Sequence, residues 1–132
     1  MADTGNGATL TRTGFVVDIR SITIGNQTID LLDTSLISTT GFMEKISADL
    51  ADAGSFTVEY LFDATDADVT LGGAAVSTTI TFPGTGTPAT LAGTAICTDK
   101  KFPDLQNNEL QVASATFTWD GVTGPTFTAQ TA

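Results

Sequence analysis

Apolar and polar positions alternate with a period of two in residues 55–62: Phe56, Val58, Tyr60 and Phe62 fall on one phase, Thr57, Glu59 and Leu61 on the other. That period predicts a strand with one buried face. A second clean alternation sets Val76, Thr78, Ile80 and Phe82 against Ser77, Thr79 and Thr81, and it stops at Pro83. The turn segment PGTGTP then leads into the run at 89–98, which predicts a hairpin. Two further runs change phase part-way. Phe15, Val17 and Ile19 share one face of a strand expected to start at Gly14, whereas Ile22 and Ile24 share the other, so the face flips near Arg20 and Ser21. In the last predicted strand, from Leu110 to about Asp120, Leu110 and Val112 oppose the phase of Ala113, Ala115, Phe117 and Trp119, which predicts a bulge near Val112. A strand that changes face without stopping needs a bulge, and curvature of this kind carries a sheet toward a barrel.

Residues 25–54 break the pattern. Leu31, Leu32, Leu36, Ile37, Phe42, Met43, Ile46 and Leu50 follow neither a strand period nor a continuous helical stripe. The segment therefore reads as a long loop, yet it is too apolar for a solvated disordered one. Its apolar groups are expected to pack on something outside their own domain, which makes it an inter-subunit loop. Residues 1–13 and 121–132 read as flexible arms, the second with Phe127 as its apolar anchor. In DATDADVTLGG, residues 63–73, Asp63 or Thr65 could cap one short helix ended by Gly72-Gly73. Calcium ligation by Asp63, Asp66 and Asp68 is disfavoured, because the spacing lacks the glycine and the closing glutamate of a calcium-binding loop. Residues 99–109, with Lys100 and Lys101, read as a polar loop.

Composition narrows the function. The 132 residues suit one domain, 41% of them are hydrophobic, and a charged fraction of only 15% with many threonines fits an all-β fold. Fifteen acidic residues against five basic ones give a net charge of −10, which argues against a protein that grips nucleic acid through phosphate contacts. The sole cysteine, Cys97, sits in an apolar run and reads as a small buried hydrophobe. With no histidine, neither a Ser-His-Asp nor a Cys-His arrangement can be assembled, and no metal or cofactor is expected. Asp49 and Asp52, three apart, and the isolated Glu59 read as surface carboxylates, so no enzyme is expected. Neither a secretory signal nor a membrane span is evident in the sequence.

These features predict a mainly β domain with at most one short helix, a β-sandwich or half-barrel. Exposed strand edges invite pairing, and several subunits contributing strands to a shared barrel would remove them. The ordered series of segments then resembles the major tail tube proteins of long-tailed bacteriophages. The matching pieces are ATLTRTG at 8–14, Ser21-Ile22, TIDLLDTSL at 28–36, DAGSFTVEYLFD at 52–63, TITFPGTGTPATLAGTA at 79–95 and NNELQVASATFTWDGVTGPTF at 107–127. The resemblance implies hexameric rings, each with an inner inter-subunit β-barrel, stacked into a hollow tube through which double-stranded DNA passes without specific binding. It also implies tape-measure, tail-tip and terminator proteins as partners, assembly in the host cytoplasm, and residence in the virion tail. Under that reading Glu59, Thr57, Thr79, Thr81 and Asp18 are the candidates to face the lumen, because they oppose the apolar faces of their strands. Leu31, Leu32, Leu36, Ile37, Phe42 and Met43 are the candidates to join rings or subunits. The competing expectation is a monomeric β-sandwich binding module of carbohydrate-binding or adhesin type, which the placement of most aromatics on core phases disfavours.

Overall fold

The structure, a computed structural model, describes residues 6–15, 17–36, 40–65 and 69–131. Nine strands follow in order: β1 (Thr9–Arg12), β2 (Asp18–Ile24), β3 (Thr28–Asp33), β4 (Lys45–Asp52), β5 (Ser55–Leu61), β6 (Val76–Thr81), β7 (Thr90–Lys101), β8 (Val112–Trp119) and β9 (Thr126–Thr128). Seven form one antiparallel sheet in the order β1-β6-β7-β8-β5-β2 with β9 added on β7, and β3 pairs only with β4. The sheet curls. Gly7 and Ala8 before β1, Ile80 of β6 and Ile19, Arg20, Ser21, Ile22 and Ile24 of β2 line one cleft of about 480 Å³, so the segment leading into the first strand of the sheet faces the last strand across it. The architecture is all-β, as the alternation required, and matches a half-barrel.

Both clean alternations form strands with one buried face, β5 and β6, and β6 pairs with β7 in the expected hairpin, Thr81 opposite Thr90. The phase change near Arg20 is a register shift against β5 between Ile19 and Ser21. The bulge expected near Val112 is absent: β8 alternates strictly from Val112 to Trp119, and the irregularity lies in its partner β7, between Cys97 and Asp99. Leu110 belongs to the loop before β8, so its phase carried no information about the strand. The strand β7 also reaches further than its sequence suggests, and places Lys100 and Lys101 in the sheet instead of in a polar loop.

One face of the sheet carries the core. Phe56, Val58 and Tyr60 of β5 pack with Ala113, Ala115, Phe117 and Trp119 of β8, Ala95 and Cys97 of β7, and Ile80 of β6. Phe117 stacks on Phe56 at a centroid distance of 5.3 Å and meets Phe15 edge-on at 5.5 Å; Phe15 in turn meets Tyr60 edge-on at 5.2 Å. Such ring pairs add about 0.5–1.5 kcal/mol each beyond their burial. Cys97 is fully buried, as its apolar run implied.

The core also holds a cation. Arg12 is buried; its Nη1 donates to Thr78 Oγ1 at 2.8 Å and to the Ala95 carbonyl oxygen at 2.9 Å, and its guanidinium lies 4.6 Å from the centre of the Phe117 ring. Burial lowers its pKa from the ordinary arginine value, and the Cys97 thiol nearby acts in the opposite direction. These bonds pin β1 to β6 and β7. The supposed N-terminal arm is therefore an edge strand at residues 9–12. The C-terminal arm likewise contributes β9, and Thr131 exchanges backbone bonds with Thr87. Short Thr-rich strands at an edge give little apolar contrast, which is why the sequence reads them as arms.

Two other expectations need correction. Residues 25–54 hold a two-stranded hairpin, β3 and β4, and not an irregular loop. No helix occurs among the described residues of the 63–73 segment; Asp63 instead accepts bonds from the Thr65 backbone N–H at 2.9 Å and its hydroxyl at 2.7 Å, closing a local turn. Those bonds hold the Asp63 carboxyl below the usual carboxylate range. Asp66 and Asp68, the other calcium candidates, lie outside the described residues.

Candidate assembly surfaces

Two surfaces emerge, one polar and one apolar. The polar one is the sheet face opposite the core, and pairing registers place all five lumen candidates on it. Glu59 stands between Ser21 and Ser114, Thr57 between Thr23 and Thr116, Thr79 between Thr11 and Ala92, Thr81 between Thr9 and Thr90, and Asp18 beside Leu61. Glu59 and Asp18 are exposed, and the three threonines are half-buried among their neighbours. Hydroxyls bond laterally: Thr57 and Thr116 oxygens are 3.1 Å apart, Thr98 and Thr118 oxygens 3.0 Å.

The structure adds residues to this face that sequence reasoning missed. Thr9, Thr81, Thr90 and Thr128 form one row across β1, β6, β7 and β9. Their signal was present as Thr-x-Thr in TLT, TIT, TFT at 116–118 and TFT at 126–128, where the middle residue is apolar. The charges on the face are few, with Asp18, Glu59 and Asp99 against Lys101. Most of the chain's acidity therefore lies elsewhere, and the face is above all a surface of hydroxyls.

The apolar surface is the β3–β4 hairpin. It leaves the body at a narrow neck, where Gly25 N–H donates to the Ser55 carbonyl oxygen at 2.7 Å and Trp119 N–H to the Gly54 carbonyl oxygen at 3.2 Å. Glycine is required there. Gly54 has φ +82°, and a Cβ on it would stand 2.4 Å from the Asn26 carbonyl oxygen. Beyond the neck, β3 pairs only with β4 among the described strands, and nearly every described hairpin residue is exposed. Leu31 is 61% exposed, Leu32 51%, Leu36 71%, Met43 63% and Phe42 95%. Ile29, Ile46 and Leu50 are exposed as well, three that the candidate set omitted. Ile37 lies outside the described residues. Local bonds join the two strand ends next to the connection: Asp33 accepts from Ser35 N–H at 2.8 Å, and Glu44 N–H donates to Ser35 Oγ at 2.7 Å. Those Ser35 contacts hold the Asp33 carboxyl below the usual range.

No protein-family model and no curated protein matches the sequence. The fold, in contrast, matches eleven chains of solved structures. One of them belongs to the cryo-electron microscopy structure of an extracellular contractile injection system, the PVC sheath/tube terminator in its extended state. Its TM-score is 0.74 and its sequence identity 12%, over 99% of this chain and 98% of that one. The shared property is the fold, over nearly the whole of both chains.

Proposed function

We propose that this chain is a structural subunit of a tail-like tube, self-assembling into hexameric rings that stack around a hollow channel. The observation that carries the reading is the hairpin. A two-stranded ribbon is marginally stable by itself in water, and this one holds a large contiguous set of exposed aliphatic and aromatic side chains. Burial of a single Leu or Phe side chain is worth about 1.5–3 kcal/mol, so the hairpin gains its stability only from a neighbouring molecule. End-to-end likeness to a chain of a contractile injection system, and the segment series resembling bacteriophage tail tube proteins, supply the kind of assembly.

In such a tube the hydroxyl-rich sheet face lines the channel, with Glu59, Thr57, Thr79, Thr81 and Asp18 toward the lumen. A wall of neutral hydroxyls on which Asp18, Glu59 and Asp99 outnumber the single Lys101 gives phosphates little cationic grip, so the polymer slides without sticking. The role is structural, not catalytic, and tape-measure, tip and terminator proteins are its further partners in a tail or a derived injection particle. Electron microscopy of the purified protein tests the reading: rings or tubes support it, and a monodisperse monomer at high concentration, with or without tail-tip components, overturns it. Leu36→Asp combined with Phe42→Asp is expected to give folded, soluble subunits that no longer form tubes; unimpaired tubes would remove the hairpin from the joint.

A further inference from the structure

The buried cation of the core has an unused edge. Arg12 is 6% exposed, and its Nη1 engages both hydrogens inside the protein, one on Thr78 Oγ1 and one on the Ala95 carbonyl oxygen. Thr78 donates its own hydroxyl hydrogen to the Val76 carbonyl oxygen at 3.0 Å, which fixes the lone pair it offers to Arg12. The Phe117 ring covers one face of the guanidinium plane. Nε and Nη2 carry the three remaining N–H groups. Among the described residues these meet no acceptor, and Arg12 forms no ion pair. No fully buried side-chain nitrogen or oxygen among those residues lacks a partner, so Nε and Nη2 open onto space that a solute can reach.

Arg12 lines a cleft of about 390 Å³ together with Gly14, Val69, Gly72, Gly73 and Val76. The three glycines have φ of +79°, +74° and +79°, and nothing lies within 4 Å of where a Cβ would stand on any of them. That part of the rim therefore carries no side chain over the mouth. We propose that this cleft is an oxyanion site, in which a carboxylate or phosphate group takes the side-on fork of Arg12 Nε and Nη2. Nη1 is the nitrogen on the Cδ side, so Nε–H and one Nη2–H point in parallel, as two oxygens of a carboxylate or phosphate require. A buried cation with only neutral acceptors keeps an uncompensated charge, which an oxyanion removes. Thr78, Ala95 and Phe117 hold the fork before a ligand arrives, so binding orders little that is not already ordered. Two sources supply this chemistry, free inorganic phosphate and an acidic side chain of another copy, since each chain carries fifteen carboxylates. The site belongs to the single subunit and does not depend on the tube reading.

Nuclear magnetic resonance of the arginine Nε–H groups tests the site, because the chain has only two arginines and the exposed Arg20 serves as the reference. Inorganic phosphate is titrated into dilute subunit at an ionic strength held constant with sodium chloride, and Arg20→Gln assigns the two signals. The Arg12 signal is expected to shift and saturate, with half-saturation at about 1 mM, while Arg20 drifts without saturating. The urea midpoint of the wild type should rise over the same range, because the ligand binds the folded chain. Arg12→Lys keeps a charge but lacks the fork, and it is expected to weaken that response about tenfold or more. If this variant does not fold, the wild-type titration decides alone. An Arg12 signal silent to phosphate that shifts with protein concentration in fixed buffer assigns the fork to a carboxylate of another copy. An Arg12 signal indifferent to both, or one that only drifts in parallel with Arg20, overturns the site.

Discussion

Strands β4 and β5 are separated by two residues, Ala53 and Gly54, yet they are held by different physics. In β5 every second residue is buried against β8 and the aromatic cluster, and the chain folds because its own core takes those side chains. In β4 only Ala48 is even half-buried. The difference teaches which part of the chain is completed by its own core. The body of the domain completes its own burial, whereas the apolar groups of the hairpin stay exposed in the single chain, and only the proposed assembly gives them a counterpart. A glycine neck separates the two, so the hairpin is oriented by the body without being stabilised by it.

That comparison can be broken at several points. The largest effect is expected from Phe117→Ala, which empties the centre of the aromatic cluster. The monomer should lose about 3–5 kcal/mol, measured by urea unfolding, whereas the hairpin variants above should leave that midpoint unchanged. Arg12→Met comes next. It leaves Thr78 and the Ala95 carbonyl without their donor and frees β1, with an expected loss of about 2–3 kcal/mol and faster amide exchange in residues 9–12. A smaller loss, about 1–3 kcal/mol, is expected for Gly54→Ala, since alanine is strained at φ +82° and its Cβ meets the Asn26 carbonyl. Assembly should suffer more than stability there, because the neck aims the hairpin; a loss of stability with normal tubes would show that the angle is not critical.

The smallest effect concerns a turn of the body. Asp120 accepts from Thr94 Oγ1 at 2.6 Å and from Val122 N–H at 3.0 Å, and the Thr94 bond above all holds its carboxyl below the ordinary value. Because the folded-state pKa is depressed, this contribution is present above the ordinary carboxylate pKa and is lost as pH falls through the lowered one. Carboxyl chemical shifts should place the Asp120 midpoint below that of an exposed aspartate, and Thr94→Val should raise it.

The sheet was legible because its burial is internal. Alternation at 55–62 and 76–82 and the phase change at Arg20 each mark a face turned toward a core that the same sequence supplies. The two arms were not legible, since Thr9–Arg12 and Thr126–Thr128 each offer a single apolar residue among polar ones. Arg12 was missed for a different reason: a buried guanidinium is rare, and only the meeting of Thr78, Ala95 and Phe117 makes it tolerable. The hairpin was read as a loop because consecutive apolar residues such as Leu31 and Leu32 break the period of two. The exposure of its apolar residues was nevertheless visible, in the count of apolar positions with no internal face to occupy. On the polar face, alternation with the core picked out Glu59 and three threonines, whereas the rows joining them across strands depend on register, which one strand's sequence does not contain.

The central claim is that the hairpin acquires its burial only on assembly. Hydrogen–deuterium exchange of residues 28–52, compared between the unassembled subunit and the assembled tube with residues 55–61 as internal reference, tests it most directly. The expected result is rapid exchange of the hairpin in the subunit and strong protection in the tube, with β5 protected in both. Equal hairpin exchange in the two states would contradict the account.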